Sequence, residues 1–275
     1  IQFIDGKYGT DSRFLVNNFA YWAYKLYLTI PFKGKLMPIY PHPLGNHQNK
    51  FAKPTLIIGN KNYSSWSLRA WLILHAFGID FEELPIKLFD PSNQTIIQTY
   101  TPLGKVPVLL HGDNTIWDSL AIALYAEKYL IQQNIWGNNP AVAMSLIAEM
   151  HSGFNALRNE MPMNIKATRQ ITPSGSCLED IARFEALVKQ AFHNNTTHSM
   201  QKYLLGEFSV VDVFFAPIIL RLATYAKHSG VQLNSITKSY ITAMLAHPSM
   251  ITWREQALLE TDIVLEDEAG EPIPN

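Results

Sequence analysis

The stretch Thr101–Leu130, TPLGKVPVLLHGDNTIWDSLAIALYAEKYL, narrows the possible folds more than any other part of the chain. Val106 to His111 is a short apolar run with a proline near its start, Gly112-Asp113-Asn114 is turn chemistry, and Thr115 to Asp118 is a second short run. Two tightly joined strands are expected. From Ser119 the period changes, because Leu120, Leu124 and Ile131 recur at helical spacing with Glu127 and Lys128 on the other side. A helix therefore starts at Asp118-Ser119, both favoured N-cap types, and its free N–H groups and partial positive charge suit a carboxylate.

Pro107 gives up a ladder donor at the first position of a strand, and an X-Pro bond is the one place where a cis peptide costs little. A cis Val106-Pro107 bond would turn the Val106 backbone outward, free to pair with an extended, peptide-like ligand as an added strand does.

Upstream, Pro54 opens the first recognisable unit. Thr55 to Ile58 reads as a buried strand ending at Gly59-Asn60, and Leu68, Trp71, Leu72, His75 and Ala76 fall on one helical face that Gly78 terminates as C′ residue. Phe81 to Leu88 reads as a second strand and Pro91 to Gln98 as a short helix or turn. Strand, helix, strand, helix, strand, strand, helix has the form of a thioredoxin-like α/β unit. Right-handed crossover makes its first two strands parallel, and the final hairpin is antiparallel. Where the first strand hands over to the first helix, Asn60 to Arg69 reads N-K-N-Y-S-S-W-S-L-R, a cluster of hydroxyls at a helix start.

G-K-V-P-V-L, a turn, and then D-S-x-A-I at a helix start resembles the glutathione transferase family. The S-S-x-S-x-R run resembles the active-site turn of its serine-type, zeta-like members. The resemblance covers about Pro54 to Leu265. It implies that Val106 and Pro107 hold the cysteinyl backbone of glutathione, that Asp118 and Ser119 hold its γ-glutamyl end, and that the Ser64 hydroxyl donates to its sulfur. Ser65 and Tyr63 stay open as alternative donors. A thiol with a pKa of about 8.5 is mostly protonated at neutral pH, so a donated O–H beside a helix N-terminus favours the nucleophilic thiolate. Lys105 is placed to neutralise the glycyl carboxylate. Zeta-like members carry cysteine at the third position of the motif, where this chain has Trp66, which puts the isomerase activity of that class in doubt.

Beyond the polar connection Asn134–Pro140 the pattern is helical. Met150, Phe154, Leu157 and Met161 form the stripe of one long helix stopped by Pro162. The resemblance makes Met150, His151, Phe154 and Arg158 candidates for an electrophile pocket. Ser209 and Asp212 have capping-box spacing ahead of the apolar run Val213–Leu222, Ile236–Leu245 and Pro248–Leu259 read as helices, and Glu260–Glu271 reads as a solvated acidic tail. The expected organisation is an extension over 1–53, a thioredoxin-like domain over 54–133, an all-helical domain over 141–265, and an acidic tail over 266–275.

Composition sets the remaining limits. With 275 residues, 47% hydrophobic and 16% charged, the chain is long enough for two real cores, and a formal net charge of −1 gives no electrostatic case for nucleic acid. Cys177 is the single cysteine, which excludes an internal disulfide framework, a CxxC redox pair and a Cys-rich zinc site, and fits a reducing cytoplasm. His193 and His198 lack a metal-binding frame, so no metal is expected. Lys25, Asp212, Pro217 and Arg221 interrupt the longest apolar stretches, so no membrane span is expected. The resemblance implies a cytoplasmic homodimeric enzyme, a transferase of detoxification type using glutathione as co-substrate and a small hydrophobic electrophile as acceptor. A glutathione-dependent isomerase or dehalogenase, or a non-catalytic scaffold on the same fold, are the alternatives.

Overall fold

The computed structural model describes residues 51–101, 103–194 and 201–273, so the expected extension lies almost wholly outside the described residues. The strand β1 (Thr55–Ile58) is buried along its whole length. Its side chains alternate: Leu56 and Ile58 enter one apolar cluster with Leu109, while Ile57 enters another with Val108, Leu110, Ile86 and Ile97. Burial on both faces explains why the strand is apolar at every inner position rather than at every second one.

The sheet runs β2 (Glu82–Pro85), β1, β3 (Val108–His111), β4 (Asn114–Trp117). β1 and β2 are parallel, and β3 is antiparallel to both β1 and β4. Helix α1 (Ser65–His75) joins β1 to β2, α2 (Pro91–Tyr100) joins β2 to β3, and α3 (Ser119–Tyr129) follows β4. This is the expected thioredoxin-like order; β1 has the expected bounds, β2 and β3 are shorter than their apolar runs, and β4 starts one residue earlier than expected. The β3–β4 turn places Gly112 at φ +57°, a conformation that glycine adopts without the Cβ clash.

A helical layer follows: α4 (Pro140–Ser152), α5 (Asn155–Glu160), α6 (Gly175–Asn194), α7 (Val210–Tyr225), α8 (Ser235–Leu245) and α9 (Pro248–Leu259). α1 packs against α3 on one side and α7 on the other, so every residue from Ser67 to Leu74 is buried. α7 is likewise buried nearly all round. At its start the buried Asp212 carboxylate accepts from Ser209 N (2.9 Å) and Ser209 Oγ (3.0 Å), and on its other oxygen from Leu204 N (3.1 Å) and Tyr240 Oη (2.9 Å). The box foreseen from spacing is thus the centre of a larger polar knot. No helix among the described residues is long and apolar enough to cross a membrane.

Three expectations need correction. Leu124 is 46% exposed, because α3 buries the neighbouring face of Ser119, Ile122, Ala123 and Ala126. The stripe Met150–Met161 does not lie on one helix: α4 ends at Gly153, Phe154 takes φ +62°, and α5 starts afresh. A Cβ on Gly153 would fall 2.8 Å from the Glu149 carbonyl oxygen, so the chain can take that corner only with glycine. The acidic end is not a solvated tail. Glu271–Pro272 (β6) pairs antiparallel with Arg169–Gln170 (β5), and a single 3-10 turn, Leu265–Asp267, brings the preceding acidic residues back over the molecule.

Candidate functional site

At the C-terminal end of β1, Asn60 to Ser65 turn the chain into α1. Tyr63 N and Ser64 N both donate to the Asn60 carbonyl, at 3.1 and 2.8 Å. Ser64 is the N-cap of α1: its Oγ accepts from Ser67 N at 3.3 Å and lies 2.7 Å from Ser67 Oγ. Ser64 Oγ donates to Ser67 Oγ, which also accepts from Gly59 N (3.0 Å), so the Ser64 proton reaches a bound ligand only when its hydroxyl rotates away from Ser67 and Ser67 donates in its place. Ser65, the first helical residue, accepts from Arg221 Nη2 at 3.2 Å, which leaves its proton free. Tyr63 is different. Its hydroxyl already donates to Glu268 Oε1 at 2.5 Å.

Two adjoining cavities open on this turn. The larger, about 620 Å³, is lined by Tyr63, Ser64, Ser65 and Trp66 on one wall and by Arg158, Arg221 and Asp267 on the other. The smaller, about 280 Å³, is lined by Pro107, Trp117, Asp118 and Ser119. Trp66, Lys105 and Val106 border both. The Val106–Pro107 bond is cis, and the β1–β3 ladder begins only at Val108, leaving Val106 outside the register.

Asp118 sits at φ +72° and caps α3, its Oδ1 accepting from Leu120 N (2.7 Å) and Ala121 N (3.4 Å). Its other oxygen faces His151 Nε2 at 3.4 Å. Burial pushes the His151 pKa down against the pull of Asp118, and Arg69 and Arg158 lower it further. Ser119 Oγ is buried without a hydrogen-bond partner, and it lines the smaller cavity. An orphan hydroxyl there, beside a helix N-terminus, suits a carboxylate acceptor.

The four residues read as an electrophile pocket separate. Arg158 lines the larger cavity, and His151 packs edge-on against Trp66 at 5.2 Å. Met150 and Phe154 are 0% and 1% exposed, belong to the core and line neither cavity. Tyr225 is also fully buried. Cys177 is buried with its pKa pushed up to about 11, as an inert thiol should be.

Sequence reasoning missed Arg69, Arg221 and Asp267. A signal existed for two of them: Arg69 ends the serine motif, and Arg221 is the lone cation within the apolar run of α7. Asp267 carried none, because its neighbours are equally acidic.

Residues 63–128 match the family described as glutathione S-transferase, N-terminal domain. A glutathione S-transferase of Dianthus caryophyllus is 30% identical over 172 residues, which span 58% of this chain and 74% of that protein. A maleylacetoacetate isomerase of Rattus norvegicus is 30% identical over 183 residues, 60% of this chain and 76% of that one. Among solved structures, a glutathione transferase homologue of Burkholderia with bound glutathione superposes with a TM-score of 0.55 at 21% identity, covering 74% of this chain and 98% of its own.

Proposed function

The chain belongs to the glutathione S-transferase family, and we propose that it activates the thiol of glutathione and transfers the thiolate to a small electrophile with an apolar body. The observation that carries this reading is the meeting of two cavities at Trp66, Lys105 and Val106, one bordered by serine hydroxyls at a helix start and the other by an orphaned, buried Ser119 Oγ. In this reading the tripeptide lies along Val106 and Pro107, its γ-glutamyl end sits at Asp118 and Ser119, and Lys105 faces its glycyl carboxylate. The sulfur then lies at the mouth of the larger cavity. Ser64 donates to it, with Ser65 the rival donor. Tyr63 is the weaker candidate, since its proton is committed to Glu268.

The rate gain comes from a larger thiolate fraction and from holding both reactants together. Retention on immobilised glutathione together with turnover of 1-chloro-2,4-dinitrobenzene tests the proposal. A protein that is retained but turns over neither this halide nor a dihalomethane is a binding protein on this fold. One that does neither refutes the assignment.

A further inference from the structure

The larger cavity is walled by three guanidinium groups drawn from three helices, Arg69 on α1, Arg158 on α5 and Arg221 on α7. Arg69 and Arg158 both stand by the Trp66 ring, 4.8 and 5.5 Å from its centroid. Burial lowers the pKa of all three, and Arg158 further lowers Arg69 and Arg221. Guanidinium groups stay charged even so, and the cluster is a fixed positive field.

Arg158 spends one N–H of Nη1 on the His151 carbonyl (3.3 Å) and one of Nη2 on the Met150 carbonyl, but not every donor of the cluster has a partner among the described residues. Arg69 Nε donates to the Phe214 carbonyl at 3.1 Å, yet Arg69 Nη1 is buried with no partner. Arg221 spends Nη1 on the carbonyls of Arg158 and Met161 and Nη2 on Ser65, while its Nε is buried and unpartnered. These two residues are only 3% and 7% exposed. Leaving such N–H groups unpaired is costly, more so on a charged group, so a partner supplied from outside accounts for the arrangement.

The chain itself indicates the partner's chemistry, because one of its own carboxylates, Asp267, enters the cavity on the Arg221 side. Over the whole lining, five cations (Arg69, Arg158, Arg221, Lys87 and Lys105) face two carboxylates (Asp90 and Asp267), so the cavity is net positive. In the proposed reading the glycyl carboxylate of glutathione goes to Lys105 and its γ-glutamyl end to the α3 N-terminus, which leaves the guanidinium groups to a further anion.

We propose that the acceptor taken by this cavity carries a carboxylate on a flat apolar body, the body lying against Trp66, Pro217 and Ile218 and the carboxylate held in the field of Arg69 and Arg158, by the Arg158 N–H groups that its backbone contacts leave over. A planar fork of N–H donors matches two carboxylate oxygens as no lysine would. The transfer step rests on the proposed glutathione activity, while the binding step rests on the arginines alone.

A matched pair of aryl chlorides tests both. With 4-chloro-3-nitrobenzoate and 4-chloro-3-nitrobenzamide the glutathione sulfur bonds to the ring carbon bearing chlorine, and chloride leaves with the bonding pair. Normalised to the uncatalysed rates, kcat/KM is expected to favour the benzoate by about tenfold or more, the scale of one charge-assisted contact. Arg158→Gln should collapse that ratio, and Arg69→Lys, which keeps the charge without the fork, should reduce it severalfold. Calorimetric titration of 4-nitrobenzoate and 4-nitrobenzamide into protein saturated with S-methylglutathione supplies the second readout. Preferential benzoate binding that Arg158→Gln removes supports the assignment even if neither chloride reacts, in which case only the conjugation reading falls. Equal binding of the two probes, binding of neither, or a ratio indifferent to Arg158→Gln overturns it.

Discussion

Arg221 Nη2 donates to Ser65 Oγ across 3.2 Å, tying the central helix of the helical layer to the turn that begins α1. The contact orients the Ser65 hydroxyl, whereas Ser64 is oriented from the opposite side by Ser67. In the proposed reading two hydroxyls compete for one sulfur, and the pH profile separates them. Ser64→Ala should raise the apparent pKa of bound glutathione toward that of the free thiol and lower kcat/KM by about 10- to 100-fold below pH 7, the loss of a hydrogen bond to a charged group. Ser65→Ala should lower the rate without moving that pKa. The reverse pattern would exchange their roles.

Asp118 and Ser119 are separable in the same way. Asp118 is the N-cap of α3, so Asp118→Ala should lower stability by about 1 kcal/mol as well as weaken glutathione binding. Ser119 Oγ has no hydrogen-bond partner among the described residues, so Ser119→Ala should weaken glutathione binding with little change in thermal midpoint. Calorimetry with glutathione and a thermal melt on each variant check this. A stability loss from Ser119→Ala without a binding loss would place its role in folding.

How far these features could be read beforehand follows from their range along the chain. The apolar run, turn and N-cap of Thr101–Leu130 and the Ser209–Asp212 box lie within a few residues of themselves, and backbone chemistry alone specifies them. Leu124 pointed the wrong way because both faces of α3 carry apolar residues, and only the docking of α1 decides which is buried. Gly153 gave no warning of the break, since a single glycine is compatible with a helix until its neighbours leave no room for a Cβ. The arginine cluster was invisible for the strongest reason, coming from three helices that meet only in the fold.

Asp212 offers a stability test in which no cavity takes part. Burial pushes its carboxyl up to about 6, against the opposing pull of its four hydrogen bonds. Asp212→Ala removes the carboxylate that accepts from Ser209 N, Leu204 N and Tyr240 Oη in the interior, and a loss of about 3 kcal/mol or more is expected from denaturant unfolding. Ser209→Ala, which removes one hydroxyl donor and leaves the backbone contacts, should cost about 1 kcal/mol.

The folded-back acidic end predicts a link between distant parts of the chain. Glu260 accepts from the backbone N–H groups of Lys61 and Asn62, at 2.6 and 3.0 Å, and Glu268 joins Tyr63, Asn164 and Arg169. These contacts hold the turn ahead of the serines. Glu268→Ala should therefore raise KM for glutathione and speed proteolysis around Tyr63 together. An unchanged KM would mean that the turn holds its shape without this strap.

Asp267 gives a pH dependence with a definite sign. Burial pushes its carboxyl up to about 6, Glu266 raises it further, and Arg221 opposes both. The other charges on the cavity are Arg69, Arg158, Lys87, Lys105 and Asp90. Because the folded-state value lies above the ordinary one, the group's contribution to stability is full below about pH 4 and is lost as pH rises through about 6. For binding, protonation of Asp267 removes the carboxylate that faces Arg221, so a carboxylated acceptor should bind more tightly as pH falls through about 6, and its neutral amide should not. Asp267→Asn fixes the neutral form at every pH. It should lower KM for 4-chloro-3-nitrobenzoate severalfold at pH 7.5 and flatten the pH dependence, and a KM that rises instead would show that Asp267 holds Arg221 in place rather than competing with the substrate.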